Sequence, residues 1–574
     1  MNYYEFLVAV PNVKGKIVHK KQSGKVFIQL EIGRTYFKDR QNTQPKRVTI
    51  GKLSDTDEEK MYPNDSFFTY FPDTPVPELR DEGKRSSCVK IGPYIIMEKV
   101  IKEIGLDSML EGVLGVKAAR KVLDIAAYSI VTEDNAGQYY PDYNYNHALF
   151  TENMYMYSDT TISRFFNELN GEDIQNFQNV WNEKMDKRKK IYISYDSTNK
   201  NTSAGDISIA EQGKAKDDKG LPIYNYAVAF DQSNSIPLFF ETYPGSIVDC
   251  AQIKYMVSKA GEYGYRKIGI ILDRGYFTKE ALNLIRESGF SFIIMMKGQE
   301  EMVASLILSN KGTFESNNRY YIAQYNKYGI TIKQKLFEDD NCDSYIHLYY
   351  SDYKASAEKA KFLGEINLIQ KDLDCLKGKK YTADSSIEKY FDIVLDDSGC
   401  LLFARQKDDE IDKVTSLMGY CVIVTSENKK AKDALVLYKN RDVSEKLFRT
   451  DKTFLGARTE RVYTDGATKA KLFVEFIALI IRNRIFTYLR EAVLNNNIKE
   501  NFMTVPAAVK ELDKIELVRL PSGRYQLDHA VTRAQKTILL SFGITEDEVR
   551  AKGNEISKIL NNSRENKTED SNKE

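Results

Sequence analysis

Two stretches, KIYISYD at 190–196 and KIGIILD at 267–273, carry the pattern on which the fold depends. The second shows no apolar–polar alternation, which is typical of a strand buried on both faces. Each stretch ends on an aspartate, Asp196 or Asp273. A helical pattern lies between the two stretches at 247–263. A second helical pattern at 277–288 and a further apolar strand at 290–296 follow them. This succession of strands and helices predicts a mixed α/β fold class.

At 574 residues the chain is long enough for several domains. The patterns predict a basic β-rich segment at 1–90, a helical domain at 91–189, a first part of the α/β core at 190–297, a β-rich insertion with a long helix at 298–420, a second part of the core at 421–497, and C-terminal helices with a disordered tail at 498–574.

Composition excludes several classes of protein. The net charge of +1 offers no overall attraction to nucleic acid, but residues 1–50 hold ten Lys or Arg against three acids. Six scattered cysteines without a CxxC pair and four histidines argue against a zinc site or a disulfide framework, and indicate a reducing compartment. The longest apolar run, 472–481, is interrupted by Glu475 and is too short to span a membrane.

Two N-terminal features each allow two interpretations. The basic β-rich segment could lie along phosphates or be an ordinary solvated sheet, and the residues favour neither. The stretch 160–166, TTISRFF, is a capped amphipathic helix. It could be the second helix of a helix-turn-helix, although a plain helical bundle is slightly favoured.

The stretch 432–456 predicts one amphipathic helix. Its predicted back is apolar and consists of Val436, Val443, Leu447 and Phe454. Its predicted front carries Tyr438, Arg441, Glu445, Arg449 and Lys452. One carboxylate among cationic and phenolic groups indicates a surface for an anion, combined with a metal-binding or proton-transfer task.

Asp196, Asp273 and Glu445 are the candidate catalytic and metal-ligating residues. Sites in open α/β sheets lie at the carboxyl ends of strands, and the helix that carries Glu445 is expected to pack on the same sheet. Converging carboxylates repel one another unless cations bridge them, and hard oxygen ligands select Mg²⁺, with Mn²⁺ as a substitute. Either aspartate taken alone is better explained as a turn or helix cap.

The spacing of Tyr438, Arg441, Glu445 and Lys452 resembles the Y-(2)-R-(3)-E-(6)-K signature of bacterial insertion-sequence DDE transposases, in insertion-sequence family four and its relatives. The stretch 272–276, LDRGY, resembles the family's motif around its second aspartate, and 195–198, YDST, resembles the first. The stretch 213–217, GKAKD, resembles the segment that follows the first aspartate. The resemblance covers about 190–495, and the sixteen-thirty-four branch fits best.

The resemblance implies an RNase H-like catalytic core in which Asp196, Asp273 and Glu445 hold two Mg²⁺ ions. The implied activity is to cut transposon ends and to join the freed 3′-hydroxyls to target DNA. Tyr438, Arg441, Lys452 and Arg449 are the implied DNA contacts. For Arg441 the alternative is an i,i+4 salt bridge with Glu445. The implied partners are double-stranded DNA and further copies of the chain, as a dimer or higher oligomer, without a membrane. The implied location is the cytoplasm of a prokaryote, on the nucleoid when DNA is bound.

The residue that would stack a flipped base and the class of function each allow alternatives. Relatives that make hairpin ends stack a flipped base on an aromatic side chain. The only tryptophan, Trp181, is predicted to be a core residue, whereas tyrosines between 320 and 350 could stack or pack. The rival functions are an RNase H-like nuclease without strand transfer and a transposase-derived DNA-binding protein. A glycosidase with paired carboxylates is a remote third.

Overall fold

The structure is a computed structural model. It describes residue 3 and residues 6–22, 24–37, 42–75, 85–202, 207–213, 220–247, 249–296, 300–441, 455, 462–496, 500–520 and 524–570. At Asp196 it describes the backbone only.

The N-terminal residues form an antiparallel sheet over a small apolar core. The strands are β1 (Val8–Ala9), β2 (Ile17–Gln22), β3 (Lys25–Phe37), β4 (Asn42–Leu53) and β5 (Lys60–Pro63), followed by helix α1 (Asp65–Tyr70). Their order in the sheet is β1-β5-β4-β3-β2. Ile28 and Leu30, two residues apart on β3, enter the core with Ile50 and Met61. The period of two is that of a strand with one face on a core.

A short strand and a bundle of helices follow. They are β6 (Cys88–Lys90), α2 (Gly92–Ile104), α3 (Leu106–Leu114), α4 (Val116–Thr132), α5 (Tyr140–Asn146), α6 (Asp159–Glu168) and α7 (Gly171–Glu183). The helices predicted at 95–104, 117–132 and 158–170 are confirmed within a few residues. The helix predicted at 173–190 ends earlier, at Glu183, because the run from Asp186 to Lys190 offers no apolar side chain to bury.

The central element is a nine-stranded sheet with the order β12-β13-β14-β17-β11-β10-β7-β8-β9. Its first half consists of β7 (Ile191–Asn201), β8 (Ile223–Asp231), β9 (Ile236–Pro244), helix α8 (Asp249–Glu262), β10 (Ile268–Leu272), helix α9 (Lys279–Glu287) and β11 (Ser291–Met295). β7, β8 and β9 pair antiparallel, whereas β10 is parallel to both β7 and β11. The predicted α/β class is confirmed by this layer.

The sequence predicts that residues 298–420 are an insertion that interrupts the α/β layer, but the first strands of this range belong to the central sheet. After helix α10 (Glu300–Asn310) come β12 (Tyr321–Ile322), β13 (Lys327–Gln334) and β14 (Ser344–Tyr350). These strands continue the central sheet, because β17 (Tyr420–Thr425) pairs with β11 on one side and β14 on the other. Alternation along the sequence predicts strands but does not identify their partners.

Between β14 and β17 lies a smaller unit with a core of its own. It contains α11 (Asp352–Cys375), α12 (Ser385–Glu388), β15 (Phe391–Leu395), β16 (Leu401–Gln406) and α13 (Asp408–Ser416). β15 and β16 form a separate two-stranded sheet. Its core includes Ile366, Leu373, Phe391 and Leu401.

The last described elements are helices and two short strands, which form a three-stranded sheet with β6. They are α14 (Ala431–Lys439), α15 (Asp465–Asn496), α16 (Val505–Leu512), β18 (Glu516–Arg519), β19 (Tyr525–Leu527), α17 (Arg533–Ser541) and α18 (Glu546–Asp570). α15 packs between the N-terminal bundle and the sheet, so its apolar residues from Leu472 to Ile485 are buried all round. The polar composition after Asn561 predicts a disordered tail, but α18 continues through these residues as far as Asp570.

Candidate functional site

The site is organised by the register of two parallel strands. Ile268 lies opposite Ile191 and Ile271 opposite Ser194. Continued by two residues, this register places Asp273 beside Asp196 on the neighbouring strand. Both positions follow the last residues that pair between β7 and β10, so the backbone brings them to the same end of this parallel pair. Sites in open α/β sheets lie at such carboxyl ends of strands.

β7 does not end at Asp196 as predicted. It continues to Asn201 because β8 keeps pairing with it, from Asp231 opposite Ile193 to Ile223 opposite Asn201. β10 stops at Leu272, and Asp273 leaves the sheet. Asp196 therefore lies where its parallel neighbour ends, inside a longer antiparallel strand.

Two donors among the described residues hold the Asp273 carboxylate. Its Oδ1 accepts a hydrogen bond of 2.7 Å from the backbone N of Arg274, which begins a short 3₁₀ turn. Arg441 Nη1 lies 3.2 Å from the same oxygen. The Asp273 side chain is 40% exposed and that of Arg441 is 12% exposed. The ion pair therefore joins a largely buried arginine to a carboxylate that solvent can reach.

Arg441 reaches this place from the end of α14. The helix ends at Lys439, and Arg441 N donates to Tyr438 O at 3.1 Å in a closing turn. The predicted uninterrupted helix over 432–456 is therefore wrong at its described end. The stretch 442–454, with Glu445, Arg449 and Lys452, lies outside the described residues.

The predicted polar front of this helix is also wrong at Tyr438. Tyr438 is buried together with Ala431, Ala434 and Leu435, which is the i, i+3, i+4, i+7 stripe of a helix on a core. This stripe packs on sheet residues that include Ile271, Ile293 and Ile423. Val436, expected on the apolar back, is only half-buried. The Arg441 guanidinium lies 5.6 Å from the Tyr438 ring centroid, so the buried ring also supports the arginine.

The described part of the site offers one ligand that suits a hard divalent cation, the Asp273 carboxylate. Within the described ranges, no group of three or more His, Cys, Asp or Glu is placed to hold a metal. Of the three predicted ligands, Asp273 alone has a described side chain, and it is a partly exposed carboxylate with a neighbouring cation to balance its charge. Carboxylate oxygens are the donors that Mg²⁺ prefers.

Sequence reasoning missed a buried ion pair beside the site. Lys200, four residues after Asp196 on β7, pairs with Glu475 of α15, and both side chains are essentially inaccessible to solvent. Glu475 Oε1 also accepts a hydrogen bond of 2.9 Å from Asn135 Nδ2, just after α4. The pair therefore ties the site strand to α15 and to the helical bundle. The signal in the sequence was Glu475 itself, a lone carboxylate inside an apolar run.

The aromatic candidates separate by burial. Trp181 is a core residue as predicted, and its Nε1 donates to Pro237 O at 2.9 Å. Tyr349 is buried and donates through its hydroxyl to Ala431 O at 2.7 Å. Tyr321 is 42% exposed on β12, so it is sterically available for stacking.

A known protein family matches the part of the chain that contains the site. Residues 193–481 match the family model of the transposase DDE domain, a range that covers half of the chain and contains Asp196, Asp273 and Glu445. The fold and the strand-edge aspartates thus define an α/β protein of the DDE type. The chain belongs to the transposase DDE domain family.

Other comparisons add little. No curated protein matches the sequence. Among solved structures, the chain is similar to a piggyBac transposase in a synaptic complex with hairpin DNA, with 9% identity and a TM-score of 0.27 over 56% of this chain and 51% of that one. The chain thus spans about half the length of that protein. No helix within the described ranges is both long and apolar enough to cross a membrane.

Proposed function

We propose that this protein is the transposase of an insertion sequence, which cuts the ends of its element and joins their 3′-hydroxyls to target DNA. The β7–β10 register carries the proposal, because its continuation beyond Ile271 opposite Ser194 brings Asp196 and Asp273 to the same end of this parallel pair. Three antiparallel strands followed by two parallel ones also agree with an RNase H-like core. The Y-R-E-K spacing supports an element of insertion-sequence family four, in its sixteen-thirty-four branch.

Asp196, Asp273 and Glu445 would hold two Mg²⁺ ions. When bound, the ions would supply activation of a water molecule and electrostatic stabilisation of the charge that develops at phosphorus. The chain's own contribution is to fix the carboxylates. β7 and β10 position the first two, and α14 on the sheet starts the segment that carries Glu445. Arg441 balances the charge of Asp273.

The proposed partner is double-stranded DNA, as inverted repeats and as target. Arg449 and Lys452 contact its phosphates close to Glu445, where cations supply salt-dependent affinity. The N-terminal sheet and the helical bundle recognise the ends, and two ends require a dimer or higher assembly. The proposed place of action is the prokaryotic cytoplasm, on the nucleoid.

The test is cleavage of a duplex that carries the element's border, with Mg²⁺. Asp273→Ala, Asp196→Ala and Glu445→Ala should each abolish cleavage while binding of the duplex persists. Lys359→Ala, on the exposed face of α11 in the smaller unit, is the control that should cleave normally. Undiminished cleavage by Glu445→Ala would refute the three-carboxylate site.

A second assay separates transposase from nuclease. A supplied border duplex with a free 3′-hydroxyl is incubated with supercoiled plasmid and Mg²⁺, and joined products are counted. Joining supports the transposase. Cleavage without joining would identify a hydrolytic nuclease, and binding without cleavage would identify a DNA-binding derivative.

A further inference from the structure

The strands β3 and β4 extend beyond the N-terminal sheet as an isolated pair. Beyond the register shift at Glu31/Gly33 they pair from Gly33 opposite Lys46 to Phe37 opposite Asn42. We call residues 33–37 and 42–46 the ribbon. In the described part of the sheet, β2 pairs with β3 over 25–30 and β5 pairs with β4 over 51–53, so neither neighbour reaches the ribbon.

Among the described residues, no apolar core lies beneath the ribbon. Residues 33–36 and 42–46 are exposed on both strands, and Tyr36 is 59% exposed. The apolar cluster of the sheet involves β3 through Ile28, Leu30 and Ile32, and thus stops before the ribbon begins. An isolated two-stranded ribbon is at best marginally stable in water, so burial against a partner is the expected source of its stability in function.

The base of the ribbon is strongly basic. Among the described residues, five exposed cations lie in the ribbon or in the chain segments next to its base, namely Lys14, Lys16, Arg34, Lys46 and Arg47. One carboxylate, Glu31, pairs with Arg34 at 2.9 Å and with Arg47 at 3.7 Å. Lys16 is adjacent because its carbonyl accepts from Glu31 N. The lysines Lys14, Lys16 and Lys46 have no carboxylate partner among the described residues, so the surface attracts an anion.

We propose that the ribbon enters the major groove of duplex DNA at the element's ends and reads bases there, an inference that rests on the proposed function. Thr35 and Gln44 lie opposite each other at the middle of the ribbon and share one face. Gln pairs in two-point fashion with adenine, and Thr contacts thymine or a polar base edge. Lys14, Lys16 and Lys46 hold the phosphates on either side of the groove.

The dimensions favour duplex DNA over RNA. Two strands about 4.8 Å apart with their side chains fit a major groove about 12 Å wide. The five pairs of the ribbon span about 14 Å along the strand, which matches a few base steps. The major groove of an RNA helix is too narrow for side chains to read.

The experiment measures binding of full-length protein, without Mg²⁺, to a duplex from the element's border and to a scrambled duplex of equal composition. Thr35→Ala/Gln44→Ala should lower affinity for the border duplex at least about fivefold and leave affinity for the scrambled duplex unchanged. Lys14→Gln/Lys16→Gln should weaken both equally and reduce the slope of log affinity against log salt by about 2. Lys359→Gln/Lys371→Gln on α11 removes the same charge from another exposed surface and should change neither.

Three outcomes would overturn the proposal. Thr35→Ala/Gln44→Ala could keep full discrimination between the duplexes, or Lys14→Gln/Lys16→Gln could keep the salt slope. Either double variant could instead shift the sedimentation coefficient without altering DNA binding, which would make the ribbon a contact between copies of the chain. Cleavage by the three carboxylates is scored separately, so failure of the ribbon and failure of the transposase function are distinguishable.

Discussion

Arg441 Nη1 lies 3.2 Å from Asp273 Oδ1, so the arginine of the predicted DNA-binding face is paired with a predicted metal ligand. The Arg441 side chain is largely buried, so it is not directed at solvent. A guanidinium at this distance neutralises the carboxylate and competes with a cation for the same oxygen.

Arg441→Gln is therefore expected to raise the affinity of DNA-free protein for Mn²⁺ about threefold, the size of a partly exposed ion pair. Titration calorimetry or the electron paramagnetic resonance signal of free Mn²⁺ measures it. Arg274→Gln is the matched control, since it removes an exposed cation next to Asp273 that forms no described side-chain pair with it. An unchanged or lower affinity in Arg441→Gln would show that the pair does not limit metal binding.

Tyr438→Ala should lower the free energy of unfolding by about 3 kcal/mol or more, because a buried ring is removed from the contact between α14 and the sheet. Tyr438→Phe keeps the ring and should retain most of the stability. Thermal unfolding compares the two variants. If Tyr438→Phe weakened binding of the border duplex at unchanged stability, the hydroxyl would belong to the DNA surface, as the sequence predicts.

Lys200→Met removes a positive charge that is buried against Glu475 and should destabilise the protein by about 3 kcal/mol or more. The double variant Lys200→Met/Glu475→Gln removes both charges and keeps an acceptor for Asn135, so it should recover part of that loss. Denaturant midpoints measure both. A double variant that is less stable than the single one would show that the two charges do not compensate each other.

Acid should weaken the central sheet through His347. Burial, and after it the charge of Lys429, lowers the pKa of His347 from 6.5 to about 4. Below pH 6.5 the unfolded chain binds a proton at this histidine, whereas the folded chain binds it only near pH 4. The free energy of unfolding therefore falls as the pH decreases from 6.5 to about 4. By pH 5 the loss is about 2 kcal/mol.

Melting temperatures between pH 7 and pH 5 check this pH dependence. His347→Gln should flatten it, although loss of the bonds to Thr331 and Thr425 lowers stability at both pH values. His529→Gln, at an exposed histidine near the C-terminus, should leave the pH dependence as it is. Equal slopes in wild type and His347→Gln would exclude His347 as the source.

Local periodicity predicted several elements closely. Helices α2, α4 and α6 and strand β10 follow from spacing, capping and apolar runs, since these depend on neighbours in the chain. The same patterns misjudged α14, because the side of a helix that is buried depends on what packs there. A tyrosine can serve either face, and the sheet residues Ile271 and Ile423 settle the matter for Tyr438.

By itself the sequence determined the α/β class, the buried strand before Asp273 and the candidate carboxylates, because residue types and their spacing express those directly. Tertiary structure alone decided that the β7–β10 register brings Asp196 and Asp273 to the same end of this parallel pair, that β12 to β14 extend the same sheet, and that Lys200 meets Glu475 across 275 positions. Strand partners and buried ion pairs join residues far apart in the chain. Their choice depends on which surfaces exclude water together, which no local pattern records.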